Sequence, residues 1–267
     1  MREQSPISRR KRIEMRGLTC LNREGRAVLS NASFEAYSGE ILGIAGISGS
    51  GQRELLEAIA GLQRVESGEV LYYDPEGQVH KLSDMSSDAI RDLNIHLSFV
   101  PEDRLGMGLV GSMDLTGNIM VRSYSKGRRF LTDRKSPKKL AEMIVDKLDV
   151  VTPSIETPVR RLSGGNVQKV LVGREISLSP SVLMVAYPVR GLDINSSYTI
   201  YNLLNEQKKK GVSVICVIED LDVILQLCDR ILVLSGGKVS GIVDARTATK
   251  EEIGLLMTAG GKEADVE

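Results

Sequence analysis

The stretch Ile41-Leu42-Gly43-Ile44-Ala45-Gly46-Ile47-Ser48-Gly49-Ser50-Gly51-Gln52-Arg53-Glu54-Leu55-Leu56 reads as a compact apolar strand, a glycine-rich turn and the start of a helix. Leu55, Leu56, Ile59 and Leu62 recur at helical spacing, so a helix is predicted over Arg53 to Leu62. Gly46, Gly49 and Gly51, with Ser48 and Ser50 between them, have the glycine frame of a phosphate-binding loop. In such a loop, backbone N–H groups close around phosphate oxygens and the helix N-terminus adds positive potential. The motif then requires Lys followed by Ser or Thr, whereas this chain has Gln52 and Arg53. A phosphate-contacting lysine supplies about 4 kcal/mol of Coulomb energy at ~4 Å in an effective dielectric near ~20. Gln52 cannot supply it, and Arg53, within reach of a phosphate, places a guanidinium where a ligand to magnesium belongs. Taken alone, the loop is as well explained as a tight strand-to-helix turn.

Working outward, short alternating segments at Ile13-Glu14-Met15 and Ala27-Val28-Leu29 flank the polar Asn22-Arg23-Glu24-Gly25-Arg26, which predicts antiparallel strands joined by a turn. Val65 to Leu82 carries alternating Val70 and Tyr72 with Asp74-Pro75-Glu76-Gly77, a hairpin pattern. Asp114 to Pro158 reads as mainly helical, with Lys138 to Leu148 amphipathic and no strand breaking it. A helix near Gly165 to Leu178, a strand at Val182 to Ala186, a helix near Ser197 to Lys210 and a strand at Val212 to Ile218 follow. That alternation predicts an α/β fold with a mostly parallel sheet covered on both faces.

With 267 residues, 42% of them hydrophobic and 26% charged, the chain is long enough for a full core. Thirty-five basic residues balance thirty-five acidic ones, so no global field attracts nucleic acid or an anionic membrane. The three cysteines, Cys20, Cys216 and Cys228, have neither disulfide-framework nor zinc spacing and fit a reducing compartment. No run approaches the roughly 20 apolar residues of a membrane span. Residues 1–12 are read as a polar, basic leader, 13–261 as one domain and 262–267 as a tail.

Leu162-Ser163-Gly164-Gly165-Asn166-Val167-Gln168-Lys169, placed after the helical stretch, resembles the signature motif of the ABC transporter cassettes. The other motifs of that family follow in order over nearly the whole chain. Val182 to Pro188 resembles the Walker B strand, Gly191-Leu192-Asp193 the D-loop and Phe99 to Arg104 the Q-loop, with Glu219 where the switch histidine usually stands. The resemblance implies a P-loop ABC cassette: a mostly parallel core sheet, an N-terminal antiparallel β-subdomain and a helical subdomain over about 110–178. In that family the signature helix faces the γ-phosphate of ATP held on the opposite cassette, a use of helix-end anion attraction.

Against the family's pattern, the hydrolytic positions are changed. The Walker B carboxylates are Ala186 and Tyr187, the Q-loop glutamine is Glu102 and the switch histidine is Glu219, changes that oppose hydrolysis. Between Cys20 and Arg26 there is no aromatic residue to stack on adenine, and Phe34 and Tyr37 lie too close to the loop. The resemblance therefore implies a division of labour. Ser163, Gly164 and Gly165 act in trans on ATP bound by a competent partner cassette, while Gly46, Ser48, Gly49, Ser50, Gly51, Gln52, Arg53, Glu102, Gln168 and Asp193 line nucleotide positions of a degenerate site. No metal ligand is expected in this chain; Mg2+ belongs to the partner's site.

The pattern looks most like the second cassette of the tandem ATPase subunits that drive bacterial import of nucleosides or simple sugars. Gly49-Ser50-Gly51-Gln52-Arg53-Glu54-Leu55, Ala186-Tyr187-Pro188 and the ending Ile253 to Gly261 resemble the nucleoside branch. Implied partners are a second cassette, transmembrane permease subunits and, through the complex, an extracytoplasmic binding protein, at the cytoplasmic face of the membrane. A permease docking face is expected around Glu102 to Leu109 and Asp114 to Ser125, with Leu115, Ile119 and Met120 either on it or packed inside. His80 and His96 are read as structural, and Lys208-Lys209-Lys210 as a complement to a helix C-terminus. The alternative function is a regulatory module that binds nucleotide without turnover.

Overall fold

The computed structural model describes residues 10–22, 24–93, 95–122 and 134–259. Most of the predicted leader, the tail, Gly260, Gly261 and residues 123–125 of the expected docking face lie outside them. The chain divides into two compact units, one drawn from residues 1–99, 180–187 and 202–267, the other from 100–179 and 188–201.

In the first unit, β1 (Lys11–Leu21) pairs antiparallel with β2 (Ala27–Tyr37), placing Met15 opposite Phe34. The strand β3 (Ile41–Gly46) leads through the glycine loop into α1 (Gln52–Ile59). Next come β4 (Val65–Tyr73) and β5 (Val79–Lys81), the predicted hairpin, then α2 (Ser87–Asp92) and β6 (Leu97–Val100). The helix α1 is shorter than its apolar spacing predicts. It stops at Ile59, the Leu62 N–H bonds back to the Glu57 carbonyl at 2.8 Å, and Leu62 is exposed.

Two sheets result. One has the order β2-β1-β4-β5; the other is built around β3 with the order β10-β9-β3-β8-β7-β6. Its later members are β7 (Val182–Ala186), β8 (Ser213–Val217), β9 (Arg230–Ser235) and β10 (Lys238–Asp244). β3 runs parallel to β8 and β9, and β7 parallel to β8, while β10 closes one edge as an antiparallel hairpin with β9. Every residue of β7 and β8 is buried, as strands covered on both faces require, and Ser213 is the one polar residue among them. The core joins Ile13, Met15 and Phe34 of the antiparallel sheet to Leu55 and Leu56 of α1 and to Met184 and Ile215 of the parallel sheet.

The basic run at the end of α6 (Ile194–Lys209) corrects its sequence reading. Lys208 is not a solvated complement to the helix dipole: its side chain has 0% exposure, and its ammonium donates to Asp229 Oδ1 at 2.7 Å. The other Asp229 oxygen accepts from the Ile41 N–H at 2.9 Å, so this ion pair fixes the start of β3. Nearby, the buried Glu40 accepts from Arg230 and from the Tyr37 N–H. Burial pushes the Glu40 carboxyl up to about 7 against the opposing pull of Arg230.

The second unit contains α3 (Leu115–Met120), α4 (Lys135–Leu148) and α5 (Gly164–Ile176), and its described residues between 101 and 179 hold no strand. α3 begins where the Asp114 carboxylate accepts the Gly117 N–H at 2.6 Å. Leu115 and Ile119 are buried and Met120 partly so, which removes Leu115 and Ile119 from the expected docking face. The apolar residues that this unit exposes are others, among them Leu105, Met107, Val110 and Met113.

Candidate functional site

In the first unit, the loop leaves the C-terminal end of β3, between neighbours β8 and β9, where parallel sheets place their ligands. Gly49 and Gly51 have φ of +85° and +95°, a left-handed backbone that a side chain at either position would strain. A Cβ on Gly51 would also lie 2.5 Å from the Val28 carbonyl oxygen. The Ser50 N–H closes the turn onto the Ile47 carbonyl at 3.0 Å, and Ser48 and Gly49 are exposed.

Gln52, at the lysine position, is buried, and its Nε2 donates back to the Ile47 carbonyl at 2.9 Å. A Cβ on Gly46 would meet that same Nε2 at 2.6 Å, so the amide lies against the base of the loop. Arg53 turns along the helix instead: its Nε donates to Glu57 Oε1 at 2.7 Å, one turn on. The guanidinium that the sequence puts within reach of a phosphate is thus engaged by a carboxylate of its own helix.

Ala186 ends β7 with a buried methyl group, and Tyr187 follows at φ +50° with its N–H on the Val217 carbonyl at 3.1 Å. Left-handed backbone is uncommon for so bulky a residue. The Tyr187 side chain packs on the unit's core. Glu219, just beyond β8, is exposed. Among the described residues, no group of three or more His, Cys, Asp or Glu side chains is arranged to hold a metal ion. The two aromatic residues near the loop serve elsewhere: Phe34 is in the core, and the Tyr37 ring lies 5.2 Å from the Arg230 guanidinium. His80 bonds Asp74 at 3.0 Å.

In the second unit, Ser163 caps α5, its Oγ accepting the Asn166 side-chain amide at 2.9 Å and the Asn166 N–H at 3.4 Å. Asn166 is itself held by the Val151 N–H on its Oδ1 at 2.9 Å. Both bonds use Oγ as acceptor, which leaves the Ser163 hydroxyl proton for donation. Ser163 and Gly164 are exposed, while Gly165 is buried against the D-loop: a Cβ there would lie 2.7 Å from Ser196 Oγ and 3.4 Å from Asp193 Oδ2. Asp193 accepts both the Ser196 N–H at 2.9 Å and the Ser196 hydroxyl at 2.6 Å, bonds that hold its carboxyl below the usual range. Gln168 does not join this surface. It is buried in α5, and its Oε1 has no donor among the described residues.

Glu102 is not the bare carboxylate that its sequence position implies. It is ion-paired with Arg190, and Arg104, two residues along, donates to the Arg190 carbonyl oxygen. A Cβ on Gly164 would lie 3.4 Å from Arg104 Nη1. The sequence reading did not anticipate that Arg190 and Arg104 flank Glu102 and Gly164. Behind them, Arg174 of α5 donates to the Gly108 carbonyl at 2.8 Å and to the Asn118 carbonyl at 3.4 Å.

A glycine loop between a central parallel strand and its helix, with a serine-capped glycine helix start in a helical unit, defines a phosphate-loop ATPase-type cassette. The ABC transporter family model matches residues 29–188, and the chain belongs to that family. It is 36% identical over 253 residues to a xylose import ATP-binding protein of Moorella thermoacetica, covering 94% of this chain and 49% of that protein. It is 36% identical to a ribose import ATP-binding protein of Rubrobacter xylanophilus, over 94% and 48% of the two chains. A galactose/methyl galactoside import ATP-binding protein of Vibrio vulnificus is 34% identical, over 90% and 46%. The chain thus spans about half the length of the curated relatives it matches. The solved dimeric structure of a bacterial ABC transporter cassette shares the fold, with a TM-score of 0.75 at 23% identity over 88% of this chain and 100% of that one.

Proposed function

We propose that this chain is one ATP-binding cassette of an importer ATPase, acting on ATP through its signature helix rather than through its own loop. The observation that carries the reading is the contrast between the two sites. The α5 start is open, with Ser163 and Gly164 exposed, whereas in the loop Gln52 folds onto Ile47 and Arg53 onto Glu57. Ser163, Gly164 and Gly165 then serve a triphosphate held by a second cassette that keeps its Lys, Asp and Glu. That second cassette also supplies the Mg2+ site. The likeness to only about half the length of each relative supports a two-cassette assembly. Residues 13–261 make the single cassette, with 110–178 as its helical subdomain, and it works at the cytoplasmic face of a membrane with permease subunits and a binding protein. Among the described residues, no helix is long and apolar enough to cross a membrane. For the cargo, the sugar-importing relatives support a simple sugar, and the Gln52-Arg53 and Ala186-Tyr187-Pro188 segments support a nucleoside.

The test is turnover of ATP by the purified chain alone and mixed with a cassette containing intact Lys, Asp and Glu. We expect negligible activity alone and activity in the mixture that collapses on Ser163→Arg. Substantial turnover by the chain alone overturns the reading.

A further inference from the structure

The fit of a divalent cation to the loop can be judged from the residues around it. Mg2+ demands near-octahedral oxygen ligation, of which a phosphate-loop protein supplies a hydroxyl after the lysine and a carboxylate at the end of a neighbouring strand. Here the first position is Arg53, paired with Glu57, and the second is the buried methyl of Ala186 followed by Tyr187 with a left-handed backbone. Glu219 is a single carboxylate beyond β8, and no metal-binding cluster stands among the described residues. The residues do not fit the cation.

We propose that this chain's own loop binds nucleotide without a divalent metal, as free ATP or ADP, with the Gln52 amide leaving the Ile47 carbonyl to donate to a phosphate oxygen. The proposal goes beyond the signature-helix reading above and does not depend on it. A cation strengthens binding only by what it gains in the site over what it already gains on the nucleotide in solution. Without protein ligands that difference vanishes, and the nearby guanidinium opposes it. Gln52 is the donor in the right place: it sits against Gly46 at the loop's base, and its present bond at 2.9 Å is a neutral one. A bond to a phosphate oxygen is charge-assisted and about twice as strong. Exposed Ser48 and Gly49 offer backbone N–H groups to the same oxygens. Because Gln52 is neutral, nothing at this position rewards a third phosphate, so ATP and ADP bind alike.

The experiment is calorimetric titration of the full chain with ATP and with ADP, in excess EDTA and then in excess MgCl2. Binding in EDTA should be at least as tight as in MgCl2, with ATP and ADP within about threefold of each other. Tightening of ATP binding by about tenfold or more on adding Mg2+ overturns the proposal, and so does the absence of saturable binding in EDTA. Gln52→Glu removes the amide donor and should abolish binding; retained binding in a folded variant places the nucleotide elsewhere and also overturns it. Installing the ligands, Arg53→Ser with Ala186→Asp, should make Mg2+ tighten ATP binding, and Arg53→Ser alone serves if a carboxylate at the buried position prevents folding. Continued indifference to Mg2+ in a folded double variant counts against the ligand argument. Loss of turnover in the two-cassette mixture bears on the signature helix and is read separately, since these titrations use the single chain.

Discussion

The Arg190 guanidinium is ion-paired with the Glu102 carboxylate across 88 residues of sequence, and Arg104 donates to the carbonyl of the same Arg190. Arg190, the residue just before Gly191-Leu192-Asp193, is thereby held by its side chain and its backbone at once, from Glu102 and Arg104. An exposed pair of this kind contributes little to folding, about 0.5 kcal/mol. Its value lies in position. Arg190→Glu and Glu102→Arg singly should each lower turnover in the two-cassette mixture by about tenfold, a misplacement effect. The double exchange should restore most of it with unfolding midpoints unchanged throughout, and no recovery in the double variant would refute a positional role.

Capping and the proposed phosphate contact at Ser163 can be separated. Ser163→Asp keeps an acceptor for Asn166 and should leave thermal stability within about 0.5 kcal/mol. The added negative charge should nevertheless abolish turnover in the mixture. Ser163→Ala, losing the cap, should destabilise by about 1 kcal/mol in denaturant titrations.

Replacing Lys208 by Met leaves Asp229 as an uncompensated buried charge beside the Ile41 N–H. Urea unfolding should show a loss of about 3–5 kcal/mol. The same change at Lys210, which bonds through its backbone N–H to Glu206 and Gln207, should cost less than about 0.5 kcal/mol.

Glu40 gives stability a definite pH dependence. Its folded value of about 7 lies above the ordinary 4.5, so the folded state holds this proton more tightly than the unfolded chain does. The contribution is fully present below about pH 4.5 and is lost as pH rises through about 7, on the order of 3–4 kcal/mol in all. Glu40→Gln, which cannot titrate, should flatten the unfolding midpoint between pH 5 and pH 8 relative to the unaltered chain.

What the sequence disclosed was local. The glycine loop, the apolar runs of β7 and β8 and the serine cap of α5 are written in neighbouring residues, because turn chemistry and burial periodicity act over a few positions. Partner choice is different. Nothing near Lys208 announces Asp229, and nothing near Glu102 announces Arg190, since those pairings form only when distant strands and loops are brought together. Apolar residues were similarly ambiguous. Leu115 and Ile119 would suit an outer or an inner face by pattern, and packing put them inside. The β9–β10 hairpin was not predicted, because a run as short as Ile231 to Leu234 does not by itself distinguish a strand from a buried helical segment.

Arg174 joins three stretches of the second unit through one side chain: the α5 helix that carries it, the turn ending at Gly108 and the end of α3 at Asn118. Loosening either of the other two stretches therefore costs this buried guanidinium a hydrogen bond, even with Glu175 of its own helix still paired to it. In hydrogen exchange they should open as one cooperative block, with matching protection at Gly108, Asn118 and the middle of α5. A pull on the exposed Leu105–Met107 turn would be delivered to the signature serine as rigid displacement, with little absorbed on the way.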